Sequence, residues 1–378
     1  MKNIAIVAGG YTSEFGVSLR SAEGLMGFID GERYNCYTVI ISKKRWSVML
    51  PDGNETDIDR NDFSFVTGGV KVLFDFAYIT IHGSPGEDGR IQGYFDMIGL
   101  PYSSCGVLAG ALTFNKYFNN QYLKSQGIRV ADSVRLTRLR HCEERSNPEK
   151  IGINGLLIRL LHCVRNDGEK EVRNDGKVEV RNDREKEVRN DGKEEARQDE
   201  QEWIRNDGNG VFVKPNEGGS SFGITKVTDA GKLQEAVDKA FEESDEVIIE
   251  QAIKGVEVTC GCYKTKKSAV VFPITEIVSE NEFFDYDAKY NGKSQEITPA
   301  RISGEMTDKI KRNTLKIYDL IGARGIIRID YIIPDDGEPV LLEINTNPGM
   351  TTASLIPQQI KAEGLDIKDI MTDIIENS

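Results

Sequence analysis

The sequence predicts a mixed chain: an α/β domain built on a parallel sheet at the N-terminus, then α+β structure, interrupted by one polar insertion. Three observations carry that reading. Strand-like and helix-like segments alternate through the first hundred or so residues. Two apolar, β-branched runs near the C-terminus are joined by Pro334-Asp335-Asp336-Gly337, a hairpin signal. Between Val164 and Asn209 an eight-residue unit built on Val-Arg-Asn-Asp recurs, with too few apolar side chains to build a core.

Residues 4–8 form a short apolar run closed by Gly9-Gly10, with no long hydrophobic region or small-residue cleavage site. They read as a first strand and not as a secretory leader. A helix over 14–28, strands over 37–41 and 76–82, and a helix over 89–98 follow. This alternation predicts a parallel sheet covered by helices, with ligand groups at the carboxyl ends of the strands. Two loops fall there, Gly9 to Glu14 and His82 to Gly89.

From about Gly106 the pattern becomes helix over 109–127, strand over 132–136, the insertion, strand over 210–215, a Gly-rich loop, helix over 231–241 and strand over 246–251. Further strands are expected at 256–263, 268–277, 326–333 and 339–344, with helices at 307–320 and at the C-terminus. The domain boundaries implied are 1–104, 105–253 interrupted at about 138–209, and 254–378. An eight-residue repeat drifts around a helix by about 80° per copy, so it forms no apolar stripe, and Asn-Asp-Gly favours turns. A disordered excursion is expected, and the stretch resembles translated palindromic repeat elements. Loop-closure entropy grows slowly enough with length for it to be tolerated.

Composition excludes some classes. Over 378 residues the chain is 39% hydrophobic and 29% charged, an ordinary globular balance. A net charge of −13 argues against nucleic acid and anionic membrane surfaces as partners. Six scattered cysteines without a secretory signal are expected to be reduced thiols in the cytoplasm.

The C-terminal hairpin places Asp330 on one strand and Glu343 and Asn345 on the other. Glu343 and Asn345 alternate with Leu342 and Ile344 and so share a face. Hard oxygen ligands that close together suit Mg2+ with substrate phosphates. A second signal is Lys214 on a strand, followed by Asn216-Glu217-Gly218-Gly219-Ser220-Ser221-Phe222-Gly223. The amides of such a loop can close over phosphates, although its spacing is not that of a P-loop.

Three motifs now stand in a recognisable order: His82-Gly83-Ser84-Pro85-Gly86-Glu87-Asp88-Gly89-Arg90-Ile91-Gln92-Gly93, Phe284-Asp285-Tyr286-Asp287-Ala288-Lys289-Tyr290, and Asn345-Thr346-Asn347-Pro348-Gly349-Met350-Thr351. With them the chain resembles the D-alanine–D-alanine ligases of the ATP-grasp superfamily, over essentially its whole length outside 138–209. The resemblance implies a Rossmann-like, pre-ATP-grasp N-terminal domain and a two-domain ATP-grasp fold, with the active site between the domains. It implies ATP-dependent ligation of two D-alanines through an acyl phosphate, for peptidoglycan precursors.

Carried over residue by residue, the resemblance implies that Lys116, Lys214 and Lys289 meet the ATP phosphates. Glu250, Gln251, Ala252 and Ile253 would line the adenine pocket, and Glu257 would hold the ribose. Asp330, Glu343 and Asn345 would hold Mg2+ or Mn2+, as two ions. Glu14 would take the first D-alanine's amino group, Arg328 and the Gly349 amide the oxyanion, and Ser354 and Leu355 the second substrate's carboxylate. His82 would shape the electrostatics of the substrate pocket. Glu14, Ser220 and Tyr290 match the three residues that close a lid in this family, and a tyrosine there points to dipeptide over depsipeptide products. A homodimer is also implied. The other readings are an ATP-binding scaffold disabled by the insertion, and an ATP-grasp carboxylate–amine ligase with another acceptor.

Overall fold

A computed structural model describes residues 1–138, 209–219, 222–279 and 294–377. The insertion expected at 138–209 therefore falls almost entirely outside the described residues, as do Ser220, Lys289 and Tyr290. The chain divides into two compact units: Met1–Ala131 with Asn216–Phe222 and Ile253–Ser378, and Asp132–Pro215 with Gly223–Ala252.

The first unit opens on β1 (Lys2–Gly9), whose six residues from Ile4 to Gly9 are all buried, as expected for a strand covered on both faces. Helix α1 (Phe15–Phe28) packs on it, and β2 (Tyr34–Ile41) pairs with it in parallel. The chain then adds β3 (Trp46–Met49), β4 (Glu55–Asp57), the small hairpin β5 (Phe65–Thr67) and β6 (Val70–Val72), and β7 (Phe76–Ile79). The main sheet runs β4-β3-β2-β1-β7. Its β2-β1-β7 core is parallel as predicted, but β3 and β4 join antiparallel at one edge. β3 is only four residues long and β4 is three polar ones, too short for an apolar alternation that a sequence reading could catch.

Helix α1 is pinned where the site begins. Buried Ser18 accepts from the Gly9 amide at 2.9 Å and donates to the Thr80 carbonyl at 2.8 Å, tying the helix to two strand ends. After α2 (Arg90–Ile98), the single helix expected over 109–127 is two, α3 (Val107–Phe114) and α4 (Lys116–Ser125). Asn115 breaks it: its backbone is extended and its side chain accepts from the Phe118 amide at 3.1 Å, an N-cap that competes with helix continuation.

The second unit has β8 (Ser133–Thr137), β9 (Val211–Pro215), β10 (Thr225–Val227) and β11 (Glu246–Gln251), in the order β10-β9-β11-β8 and antiparallel throughout. Helix α5 (Leu233–Glu243) buries Leu233, Ala236, Val237 and Ala240, the i, i+3, i+4, i+7 stripe that seats a helix on a sheet.

The first unit resumes with β12 (Val256–Lys264), β13 (Ala269–Val271), β14 (Thr275–Ser279) and β15 (Ser294–Ile297). The one strand expected over 268–277 is two because Phe272-Pro273-Ile274 intervenes, and proline cannot donate to a ladder. Helix α6 (Gly304–Leu320) starts at Ser303, whose hydroxyl accepts from the Met306 amide at 3.2 Å. Its Ile310 and Ile317 pack in one core with Cys260, Cys262, Ile327 and Ile329. The hairpin β16 (Gly325–Ile333) and β17 (Val340–Asn345) completes the sheet β15-β14-β12-β16-β17, with β13 on β12. Helices α7 (Leu355–Ala362) and α8 (Ile367–Asn377) end the chain.

Candidate active site

The hairpin register sets the chemistry. Asp330 stands opposite Glu343, and Arg328 opposite Asn345, with a register shift between Asp330 and Tyr331 that bends the strand there. Residues two apart on a strand share a face, so all four side chains lie together. Arg328 grips Asp330 at two points, Nε to Oδ1 and Nη2 to Oδ2, each at 2.9 Å. Thr259 Oγ1 on neighbouring β12 donates to Oδ1 at 2.6 Å, and Asn345 Nδ2 donates to Oδ2 at 3.0 Å. Each carboxylate oxygen thus accepts two hydrogen bonds from these described residues.

Glu343 completes the group from across the ladder, with Lys116 Nζ at 3.8 Å from its Oε1. Lys116 also donates to the Gly218 carbonyl at 2.6 Å. It opens α4, and buried Asn216 seats it there: its carbonyl accepts from the Lys116 amide at 3.0 Å and its side chain from the Tyr117 amide at 2.8 Å. Two carboxylates and an amide oxygen are a fitting set for a hard divalent ion. Asp330 could join such an ion only by releasing one of its present donors. Among the described residues, no three His, Cys, Asp or Glu side chains gather into a group that could hold a metal ion.

A cavity of about 280 Å³ opens over these residues within the first unit. Its walls bring together Glu14, His82, Lys116, Arg328, Glu343, Asn345, Gly349, Ser354 and Leu355, all of them singled out in the sequence. Buried Glu14 stands at the start of α1, where helix amides favour an acid. The backbone crowds it: a methyl group added to Gly219 would lie 3.1 Å from Glu14 Oε1, and one on Gly83 3.3 Å from its Oε2. His82 is buried with Nε2 at 3.2 Å from Ser21 Oγ. Burial, and then the nearby Arg328 charge, lower its pKa to about 4, so the ring is neutral at pH 7.

The loop after β17 is fastened to the loop after β7. Buried Asn347 donates through Nδ2 to the Gly86 carbonyl at 2.8 Å, and Gln92 donates to the same oxygen at 2.5 Å. Ser354 accepts from the Thr351 amide at 3.0 Å and exchanges a hydrogen bond with its hydroxyl at 2.8 Å, which curls 349–354 into a tight cup ahead of α7. Helix α1 touches this cup through Gly24, where an added methyl group would meet the Met350 carbonyl at 2.1 Å.

Sequence reasoning passed over Glu87, although it sits inside the His82–Gly93 motif. It accepts from the Gly83 amide at 2.8 Å, and burial followed by repulsion from Glu14 raises its pKa well above the usual carboxyl range. Asn216, Thr259 and Asn347 were also missed, each acting through a partner far away in the chain. The visible signals were that Glu87, Asn216 and Asn347 all fall within segments already marked by the sequence.

Other expected residues lie elsewhere. In the second unit Lys214 Nζ is 2.6 Å from Glu250 Oε2, with Phe212's ring beneath it at 5.5 Å. Gln251 and Ala252 are held there by backbone bonds to Asp132 and Gly210. Ile253 and Glu257 belong to the first unit. None of Lys214, Glu250–253 or Glu257 lines the cavity.

Comparison with known proteins shows what the whole chain is similar to. A family model described as "D-ala D-ala ligase N-terminus" matches residues 3–105, and one described as "D-ala D-ala ligase C-terminus" matches 184–376. A protein of Parabacteroides distasonis named D-alanine–D-alanine ligase is 53% identical over 376 residues, covering 100% of this chain and 97% of its own length. One of the same name from Bacteroides fragilis is 52% identical, covering 100% and 99%. The solved VanG D-Ala:D-Ser ligase of Enterococcus faecalis is 26% identical with a TM-score of 0.73, covering 99% of this chain and 98% of that one.

Proposed function

The chain belongs to the D-alanine–D-alanine ligase family, and from that premise we propose that it joins two D-alanines, with ATP cleaved to ADP and phosphate, to supply the dipeptide for peptidoglycan. The observation that carries the reading is the single cavity that collects Glu14, Lys116, Arg328, Glu343, Asn345 and the 349–355 cup.

The first D-alanine is held by its ammonium group against Glu14. Its carboxylate oxygen attacks the γ-phosphorus of ATP, the bond to the β–γ bridging oxygen breaks, and ADP leaves behind an acyl phosphate. The second D-alanine, carboxylate at Ser354 and Leu355, attacks the acyl carbon through its deprotonated amine. The tetrahedral oxyanion meets Arg328 and the Gly349 amide, and donors fixed before the charge develops are worth about 10²–10³ in rate each. The carbon–oxygen bond to phosphate then breaks, the departing phosphate carrying off the proton released from nitrogen, and the peptide is left. His82, neutral and with a pKa near 4, is too weak a base to take the ammonium proton unaided, so it tunes the pocket.

Lys116 and Lys214 serve the ATP phosphates, with Lys289. Glu250 to Ile253 serve the adenine, and Glu257 the ribose. Lys214 would have to leave Glu250 to reach a phosphate. Asp330, Glu343 and Asn345 would hold Mg2+ or Mn2+, as two ions, and the bound metal would neutralise phosphate charge. Glu14, Ser220 and Tyr290 form the lid that keeps water from the acyl phosphate. The proposal includes the three-part organisation at 1–104, 105–253 and 254–378, a homodimer, and a cytoplasmic location. No helix among the described residues is long and apolar enough to cross a membrane.

Purified protein with Mg-ATP tests this, by comparing ADP release on D-alanine, L-alanine and D-alanine plus D-lactate with products identified by mass. D-alanyl-D-alanine formed only with D-alanine supports the ligase. ATP binding without turnover on any of them refutes it and favours the disabled scaffold.

A further inference from the structure

Four carboxylates line the cavity among the described residues: Glu14, Glu87, Glu343 and Glu296. The first three have places in the account above. Glu296 does not. It stands on β15 opposite Ile277, six residues beyond Tyr290 and outside the three motifs that mark the site. Its carboxylate is nevertheless fixed: Gln358 Nε2 on α7 donates to Glu296 Oε2 at 2.6 Å and to the Ala353 carbonyl at 2.8 Å. One amide nitrogen, using both of its hydrogens, thus ties this acid to the residue just ahead of Ser354 and Leu355.

That partner is neutral, so the negative charge is held in place without being cancelled. No Lys or Arg pairs with Glu296 among the described residues. A half-buried carboxylate with no Lys or Arg partner among the described residues, beside the cup for the second substrate, sets up a field that distinguishes acceptors by charge. The amino acids D-alanine and D-serine arrive as ammonium ions; D-lactate, the same size and shape, brings only a hydroxyl.

We propose that Glu296 is a specificity-determining residue that selects an ammonium-bearing second substrate over a hydroxy acid. The inference rests on the ligation reading and adds a residue to it. Because the ammonium must lose its proton before the amine attacks, the attraction acts on capture and not on bond formation. It therefore appears in the KM of the second substrate and leaves kcat nearly unchanged. Charge pairs in partly solvated positions are modest.

The test is Glu296→Gln in the full chain, an isostere that still accepts the Gln358 hydrogen bond. With Mg-ATP, the second-site KM for D-alanine should rise about three- to fivefold and kcat should stay within about twofold. D-serine should follow D-alanine, and the dipeptide-to-depsipeptide ratio with D-lactate in competition should fall by the same factor. In the unaltered protein, raising salt from about 0.05 to 0.5 M should raise the same KM, since exposed charges are screened. An unchanged KM in the variant, or an equal loss on D-lactate, overturns the assignment. If the unaltered protein makes no dipeptide, the ligation reading itself has failed; if it does and the variant matches it, only Glu296 loses its role.

Discussion

Arg328 and Asp330, two residues apart on β16, face the same way and close a two-point ion pair with both contacts at 2.9 Å. The cation assigned to the oxyanion and an acid assigned to the metal are therefore partners of each other.

Asp330→Asn should release Arg328 and weaken metal capture together. We expect kcat to fall at least about 100-fold and half-saturation to shift to higher Mg2+. Arg328→Gln should lower kcat by about 10²–10³ with little change in the Mg2+ requirement. Steady-state rates across a Mg2+ titration separate the two, and an identical Mg2+ profile for both variants would count against the division of roles.

Metal removal gives a second check. Chelation should abolish ADP release, and Mg2+ or Mn2+ should restore it, since the donors at Asp330, Glu343 and Asn345 are hard oxygens. Glu343→Gln should raise the metal concentration needed about tenfold or more. Turnover that survives exhaustive chelation would exclude the assignment.

His82 sets a pH dependence of stability whose sign follows from its environment. Its pKa falls from 6.5 to about 4 on folding, so between those values the unfolded chain binds the extra proton. Stability from this group is complete above about pH 6.5 and is lost as pH falls toward 4, by about 3 kcal/mol at most. Urea unfolding at pH 7, 5.5 and 4.5 should show a smaller acid loss for His82→Asn than for the unaltered protein. Parallel curves would show that other groups set the acid limit.

Gly24 lets α1 approach the 349–354 cup closely. Gly24→Ala would put a methyl group 2.1 Å from the Met350 carbonyl, a backbone atom that has to move. We expect a loss of about 1–3 kcal/mol, read as a lower Tm, and a raised KM for the second substrate as 349–354 shifts. A variant with unaltered Tm and KM would show that the helix and the cup separate freely.

These cases also show what a sequence can carry. The hairpin holding Asp330, Glu343 and Asn345 was legible because strand alternation and a Pro-Asp-Asp-Gly turn are local signals, and β1, β2 and β7 were legible as apolar runs. Asn115 hid a helix break, since asparagine caps only where its own side chain reaches the Phe118 amide. The Gly24–Met350 approach and the Glu296–Gln358 bond join residues far apart in the chain, and no local pattern announces them. Glu87 lay within a motif already marked, but its raised pKa comes from burial and Glu14, which only the folded cavity supplies.

The most direct test follows oxygen. With D-alanine labelled with ¹⁸O in its carboxylate, acyl-phosphate chemistry transfers one labelled oxygen to inorganic phosphate for each D-alanyl-D-alanine formed. Mass analysis of the phosphate should find that label in step with the dipeptide. Dipeptide accompanied by unlabelled phosphate, or phosphate released without dipeptide, would contradict the account.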